Sequence, residues 1–304
     1  MTNYILRRLW QGVISIMLLL TLVFFLSRTT GNPLDLLVPI DATPETIANI
    51  SRQNGLDKPL IVQYLYYIGN LFTGDMGTSI RYRQPVWDLF KDAFPNSLRL
   101  VIPSFISAIV IGIPLGVLAA TSRLRIARRL LAAVGVVGMA TPLFWLAILL
   151  IFLFSVKLGV LPSSQMGGID HYVMPVAAMT MFIMAGLLRL TRSSILDAMD
   201  SEYVKLARLK GLSENRVIWK HALRNSLTAA VAFLGVLLSL LLTGSTVIET
   251  VFAWPGTGRL TYDALVSRDY PLVQGIVLIT AIFIILVNLV VDILHAYLEP
   301  RIRL

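Results

Sequence analysis

The chain has 304 residues, of which 56% are hydrophobic and only 14% are charged, whereas about a quarter of the residues of soluble domains are charged. This apolar excess, with a mean hydropathy of +0.76, excludes a soluble enzyme and a disordered protein as leading interpretations. Because cysteine is absent, disulfide frameworks, thiolate zinc sites, iron–sulfur clusters and cysteine nucleophiles are excluded too. The composition predicts an all-α polytopic membrane protein.

Runs without charged residues mark the expected membrane spans. A helix that crosses a bilayer needs about 20 apolar residues. Six runs meet this requirement: Leu9–Ser27, Leu100–Ser122, Leu130–Val156, His171–Leu188, Asn225–Ile248 and Tyr270–Val291. We therefore expect six transmembrane helices, with internal prolines such as Pro142 tolerated because membrane helices accommodate them. The first run could instead be a signal peptide, but its length and the absence of an Ala-x-Ala site after Ser27 favour an uncleaved anchor.

The distribution of cations predicts the orientation of these spans. If the six runs alternate in direction, most basic residues of the short connections fall on one side of the membrane. They are Arg7, Arg8, Arg123, Arg125, Arg128, Arg129, the eight of segment 189–224, Arg301 and Arg303. Because cytoplasmic loops are enriched in lysine and arginine, both termini are expected to be cytoplasmic. The cations are scattered and lack interleaved aromatic residues, so the net charge of +9 does not indicate nucleic-acid binding.

The chain divides into three predicted parts: residues 1–30 with the first span, an extracytoplasmic loop at 31–98, and a core at 99–304. The loop has helical order of its own. Thr43-Pro44-Glu45 is typical of a helix start, and Asn54-Gly55 of a helix end. A second helix is expected after Pro59, with one face formed by Leu60, Tyr64, Tyr67 and Leu71.

The cytoplasmic segment at about 200–224 predicts a short helix, a turn and a second helix. Ser201-Glu202 begins the first helix, which places Tyr203, Leu206 and Ala207 on one face. Gly211 stands where a left-handed glycine ends a helix, and Ser213-Glu214 begins the next one. The spacing leaves two interpretations open: an interfacial helix on anionic lipid, or a docking surface for a cytoplasmic partner.

The same segment resembles a known family. Residues 202–213, followed by His221-Ala222-Leu223-Arg224-Asn225, are similar to the EAA loop of binding-protein-dependent ABC importers. Aligned on Gly211, the chain has Lys205 and Leu206 in place of the first two motif letters. It also has His221 and Arg224 where isoleucine and proline usually stand. These departures match the form found in dipeptide, oligopeptide and nickel permeases.

Further segments carry the same resemblance along nearly the whole chain. They are residues 55–60, 74–79 with Pro85-Val86, 251–260, 268–271 and 288–303. The long loop after the first span resembles that of the first of the two permease subunits in such importers.

The resemblance implies the type I ABC importer permease fold in a bacterial or archaeal cytoplasmic membrane. It also implies half of a translocation pathway for peptides or a related small solute, delivered by an extracytoplasmic binding protein. Nickel chelates, glutathione and oligosaccharides are the alternative substrates. The implied partners are a second homologous permease, expected as a heterodimer, and two ATPase subunits.

The resemblance implies ATPase coupling for one group of residues: Glu202, Tyr203, Leu206, Ala207, Lys210, Gly211, Leu212 and Ser213. The chain lacks the Gly-x-x-x-x-Gly-Lys-Ser/Thr motif, so ATP and Mg²⁺ are expected on the partner subunits. No catalytic residue, metal site or cofactor is predicted on this chain.

A polar stripe on the fifth span is the candidate pathway. Ser239, Thr243 and Thr246 share one helical face, and Glu249 lies at the outer end. The alternative is helix packing, since small hydroxyl residues allow close approach. Two other classes are less favoured. A zinc-dependent intramembrane enzyme needs His-Glu-x-x-His, which is missing, and an ATP-independent carrier would show an internal repeat.

Overall fold

The computed structural model describes residues 2–30, 34, 38, 42–53 and 55–298. Within these ranges the regular structure is helical, apart from one isolated bridge between Thr78 and Pro85. In chain order the helices are α1 (Thr2–Thr30), α2 (Pro44–Gln53), α3 (Leu60–Phe72), α4 (Val86–Thr121), α5 (Arg125–Ala140), α6 (Leu143–Leu150), α7 (Ile169–Met199), α8 (Glu202–Leu209), α9 (Glu214–Arg216), α10 (Leu223–Val251), α11 (Thr257–Val266) and α12 (Tyr270–Leu298). Two π-helical segments, Ile151–Lys157 and Val217–Ala222, continue α6 and α9.

The chain forms two compact units. The N-terminal unit comprises Met1–Pro95 and Gly256–Leu286, and the core unit comprises Asn96–Pro255 and Val287–Leu304. In the N-terminal unit the helices enclose a cluster formed by Val86, Phe90, Ala264, Leu272 and Ile276.

Both helices predicted within the long loop are confirmed. At the start of α2, Thr46 N–H donates to the Thr43 hydroxyl at 3.3 Å. Gly55 follows the helix with a φ of +63°, and Asn54 lies outside the described residues. Helix α3 packs against α1, because Tyr67 stacks on Phe24 with ring centroids 5.6 Å apart.

One detail of α3 differs from the prediction. Tyr64 lies on the face towards α1, and its hydroxyl is 2.7 Å from that of Thr21. Leu60, which was expected on the same face, is exposed. The helix begins at Leu60, so this residue projects beyond the aromatic contact.

In the described part of the chain, five helices are long and apolar enough to cross a membrane, and a bent pair makes a sixth span if its two arms are counted as one. The expectation of a continuous helix over Leu130–Val156 is wrong: α5 ends at Ala140, and Leu143–Lys157 departs from it by 106°. Pro142 causes the break, because it pushes the preceding residue out of the helical region. Thr141 accordingly adopts φ −81° and ψ 119°.

Helix α7 is the centre of the core unit, where it packs against α5, α6 and α10. Glycines bring its neighbours close. A Cβ added to Gly116 of α4 would lie 2.8 Å from the Leu188 carbonyl oxygen, and one added to Gly138 of α5 would lie 2.7 Å from the Ala185 Cβ. Such small-residue seams let helix backbones approach in a membrane.

Candidate coupling and translocation sites

Helix α8 is anchored by one narrow face. Val204 and Ala207 are buried in a cluster with Val117, Ile195 and Val217 of the core unit. The expectation that Ala207 shares a face with Tyr203 and Leu206 is therefore wrong. Val204 and Ala207 face inward, and the larger side chains of Tyr203 and Leu206 remain outside.

The outer face of α8 is apolar and uncovered. Tyr203 is 40% exposed, Leu206 53% and Leu209 85%. Lys205 on this helix pairs with Glu202 at 2.8 Å, at the solvated start of the helix. The outer side of this short helix therefore exposes an aromatic and two leucine side chains.

The turn at Gly211 ends α8 in the predicted left-handed conformation, with a φ of +74°. Gly211 N–H donates to the Arg208 carbonyl at 2.9 Å, and Leu212 N–H to the Ala207 carbonyl at 3.4 Å. This pair of hydrogen bonds is the Schellman motif. An added Cβ at Gly211 would meet nothing within 4 Å, so the conformation alone requires glycine there.

Around the turn, Lys210 is exposed, and its N–H donates to the Leu206 carbonyl at 3.0 Å. Leu212 packs against the buried cluster. Ser201 and Ser213 occupy the positions before α8 and α9, as expected for helix starts, but neither side chain makes a capping hydrogen bond. The Ser201 hydroxyl donates instead to the Ala198 carbonyl.

An ion pair missed in the sequence closes the turn. Arg208 Nε donates to Glu214 Oε1 at 2.8 Å, and a terminal nitrogen of Arg208 donates to Glu214 Oε2 at 3.4 Å. The two residues are six apart, which is too far for a pair on one continuous helix. Only the expected reversal at Gly211 could have indicated that they meet.

The polar stripe of α10 is not brought to one exposed surface. The Ser239 hydroxyl donates to the Gly235 carbonyl at 3.1 Å and to the Asn288 side-chain oxygen at 3.3 Å. Thr243 is exposed and Thr246 half-buried. Ser239 thus contributes to packing between α10 and the end of α12.

Glu249 is fully buried near the end of α10. Its backbone carbonyl accepts a hydrogen bond from Trp254 N–H at 2.7 Å. Trp254, also fully buried, donates its indole N–H to the Asn96 carbonyl at 2.9 Å. The Tyr172 ring meets the indole edge-on at 4.7 Å, so this corner holds α4, α7 and α10 together.

Two of the segments that carry the family resemblance, residues 74–79 and 268–271, meet in the N-terminal unit. The buried carboxylate of Asp269 accepts hydrogen bonds from the Ser79 hydroxyl and from Arg81 N–H. Leu272 N–H donates to its other oxygen at 3.3 Å. The carboxylate thereby joins residues 190 positions apart, which no local pattern could have indicated.

Within the described ranges, no group of three or more His, Cys, Asp or Glu side chains is arranged to hold a metal ion.

This helical architecture, with the helix–turn–helix segment formed by α8 and α9, corresponds to a known family. Residues 112–304 match the family described as "Binding-protein-dependent transport system inner membrane component", and residues 1–101 match its N-terminal region. The chain belongs to this family and is the membrane permease subunit of an ABC importer. The predicted family, function and membrane location are confirmed.

The similar proteins cover the full length of the chain. The glutathione transport system permease protein GsiC of Salmonella typhimurium is 40% identical over 304 residues, covering 100% of this chain and 99% of the relative. The Escherichia coli K12 protein of the same name is 39% identical over the same length and coverage.

Solved structures share the fold at low sequence identity. The methionine ABC transporter MetNI, in inward-facing conformations, aligns with a TM-score of 0.60 and 19% identity, over 69% of this chain and 96% of that one. An amino acid ABC transporter with histidines aligns with a TM-score of 0.54 and 18% identity, over 70% of this chain and 94% of that one. The type I ABC importer permease fold is therefore confirmed.

Proposed function

We propose that this chain forms half of a translocation pathway for glutathione or another short peptide, delivered by an extracytoplasmic binding protein. The names of the relatives support this substrate class, because the glutathione permeases match the chain from end to end. In this proposal a second homologous permease supplies the other half of the pathway, and the pair is a heterodimer.

The energy for transport comes from two separate ATPase subunits that bind ATP and Mg²⁺. The sequence supports this division of labour, since the chain has no phosphate-binding loop. The observation that carries the proposal is the build of α8: a buried inner face, an apolar outer face and a fixed end at Gly211. We propose that the outer face docks into a cleft of an ATPase.

The docking surface is tested by removing its exposed side chains. Leu206→Ala combined with Leu209→Ala should leave the permease abundant in the membrane, because both residues are exposed, while ATPase co-purification and uptake fall. Leu124→Ala is the matched control, since Leu124 is an equally exposed leucine that precedes α5. Unchanged co-purification of the double variant would refute docking through α8.

The substrate is tested in proteoliposomes that contain the whole complex. ATP-dependent uptake of labelled glutathione should require the binding protein and should be competed by short peptides. Uptake of a nickel chelate or an oligosaccharide without uptake of glutathione would contradict the proposed substrate class. ATP hydrolysis by the isolated chain would contradict the division of labour.

We propose that the polar stripe Ser239, Thr243 and Thr246 borders the pathway through its exposed member Thr243, with Glu249 at its end. Glu249→Gln keeps the size of the side chain and removes its charge. It should lower uptake or alter substrate preference while complex assembly stays intact. Wild-type uptake across several substrates would instead assign Glu249 to packing, in agreement with its burial.

The orientation is tested with reporter fusions. Fusions at Asp57 and Gly256 should report an extracytoplasmic location, and fusions at Arg125 and Gly211 a cytoplasmic one, as the cation distribution predicts. A cytoplasmic signal at Asp57 would overturn the six-span topology.

A further inference from the structure

A cavity of about 790 Å³ lies within the N-terminal unit. Helices α1, α2, α3 and the start of α12 contribute to its wall, together with the turn at residues 74–83. Its volume falls within the range of roughly 300–1,000 Å³ found for small-molecule sites. None of its described lining residues belongs to α8 or to the polar stripe of α10, to which the transport proposal assigns roles.

Four buried polar atoms of the cavity-lining residues have no hydrogen-bond partner among the described residues: Arg28 Nε, the Tyr67 and Tyr270 hydroxyls, and Gln63 Oε1. Tyr270 is only 6% exposed as a whole residue. Buried polar groups are almost always hydrogen-bonded, so each exception calls for an explanation. Four exceptions around one cavity indicate that a polar ligand completes it.

The charge of the wall indicates the sign of that ligand. Arg28, Arg52, Lys58 and Arg83 line the cavity, and among the described lining residues Asp75 alone brings a carboxylate. The Arg28 guanidinium also packs over the Phe24 ring, 5.3 Å from its centroid, which holds it beside the cavity. Guanidinium and hydroxyl groups are hydrogen-bond donors that suit carboxylate and phosphate oxygens.

Gln63 requires a hydrogen-bond donor on the ligand, whereas the arginine and tyrosine groups require an acceptor. Its Nε2 donates to the Lys58 carbonyl at 2.8 Å and to the Leu56 carbonyl at 3.3 Å. These two bonds fix the orientation of the amide and leave its Oε1 as an acceptor. A ligand that satisfies it must therefore bring a hydroxyl or ammonium donor next to its anionic group.

Burial, and to a lesser degree the neighbouring Tyr64, raise the pKa of the Tyr67 hydroxyl well above its usual range. This hydroxyl consequently remains protonated near neutral pH and can donate a hydrogen bond.

We propose that this cavity binds an oxyanion that carries a neighbouring hydroxyl or ammonium group, of the glycerophosphate type. Arg28, Tyr67 and Tyr270 donate to the oxyanion, and Gln63 accepts from the neighbouring donor. Such a ligand has two sources, a phospholipid headgroup and a free small solute. A phospholipid headgroup can reach the cavity because Arg28 lies in the last turn of a candidate membrane span, Leu6–Thr29. Arg28 is therefore near the headgroup layer.

The test uses the full chain purified with the subunits that accompany it. In the solute arm, sn-glycerol 3-phosphate is titrated in maltoside detergent, with sodium chloride at matched ionic strength as the control. In the lipid arm, nanodiscs of phosphatidylcholine alone are compared with nanodiscs that also contain phosphatidylglycerol. The midpoint of thermal unfolding is measured in both arms, and retained lipid is counted by native mass spectrometry.

Tyr270→Phe removes one buried hydroxyl from the cavity and little else. Tyr64→Phe is the matched control, because the Tyr64 hydroxyl already contacts that of Thr21 and does not line the cavity. We expect Tyr270→Phe to weaken ligand binding about tenfold in the arm that responds, since a hydrogen bond to a charged group is lost. Tyr64→Phe should bind as the wild type does.

Arg28→Gln provides a second test if Tyr270→Phe is poorly produced, and it should weaken binding at least as much. A response to glycerol 3-phosphate alone assigns the site to a solute, and a response to phosphatidylglycerol alone assigns it to lipid. The proposal is overturned if neither arm responds, or if wild type and both cavity variants respond equally. Peptide uptake does not depend on either result, so failure here is distinct from failure of the transport proposal.

Discussion

The two ends of helix α10 are built in opposite ways. Before its start, α8 leaves Leu209 85% exposed and is held by a narrow buried face and one glycine turn. After its end, Trp254 is 0% exposed and is fixed by a hydrogen bond and an aromatic contact. One end leaves apolar side chains exposed, and the other buries them in a contact that holds three helices together. A change at the first should affect coupling, and a change at the second should affect folding.

The largest expected effect is at the buried corner. Trp254→Ala removes a fully buried side chain, which costs about 3–5 kcal/mol in a packed core, so the permease should be scarce in the membrane and unfold at lower temperature. Trp219→Ala is the control near the other end, because Trp219 is 46% exposed and its loss should leave abundance unchanged. An equal loss of abundance in both variants would remove the contrast between the two ends.

A smaller structural effect with a large functional consequence is expected at Gly211. Gly211→Val forces a branched side chain into a left-handed backbone, at a cost of about 1–2 kcal/mol. This should leave abundance and pairing with the second permease normal while uptake falls by about 5- to 30-fold, the factor that corresponds to this energy.

Gly159→Val is the matched control for this turn. Gly159 has a φ of +64° and, like Gly211, open space around an added Cβ. It carries the same strain in a different loop and should leave uptake nearly unchanged. If both variants transport normally, the end of α8 need not have a defined direction, as the interfacial-helix interpretation requires.

The smallest effect is expected at the ion pair that closes the turn. Arg208 and Glu214 are about half exposed, and such pairs contribute roughly 0.2–1 kcal/mol. A double-mutant cycle of Arg208→Gln and Glu214→Gln, measured on ATPase stimulation, should give a coupling energy in this range that declines with added salt. A coupling energy of zero at low salt would show that the glycine turn alone directs the segment.

Much of the architecture could be predicted from the sequence because the membrane imposes simple rules on it. Charge-free runs located the five long apolar helices and the bent pair, and the glycine signals located the ends of α2 and α8. The bend at Pro142 was missed because many prolines in membrane helices are tolerated, and the sequence does not show that this one leaves Thr141 outside the helical region. Helix α4 begins at Val86, well before the predicted Leu100, because charged residues such as Lys91 and Arg99 continue the helix beyond the charge-free run.

The candidate sites were less predictable for a different reason. Helical period alone allowed Ala207 on the face of Tyr203 and Leu206, and only the buried cluster determines which side faces inward. The contact of Ser79 with Asp269 and the cavity beside Arg28 depend on residues far apart in sequence. Such pairings follow from the packing of the N-terminal unit and have no signature in a local window.

The glycine seams of α7 have a mechanical consequence. Gly116 of α4 and Gly138 of α5 lie against short parts of α7, namely the Thr191 side chain, the Leu188 carbonyl and Ala185. Little flexible side chain separates the helices at these two points, so we expect rotamer changes there to absorb little of a displacement of α7. Since α8 follows α7 directly and packs against it, we expect a push on that short helix to shift α4, α5 and α7 together.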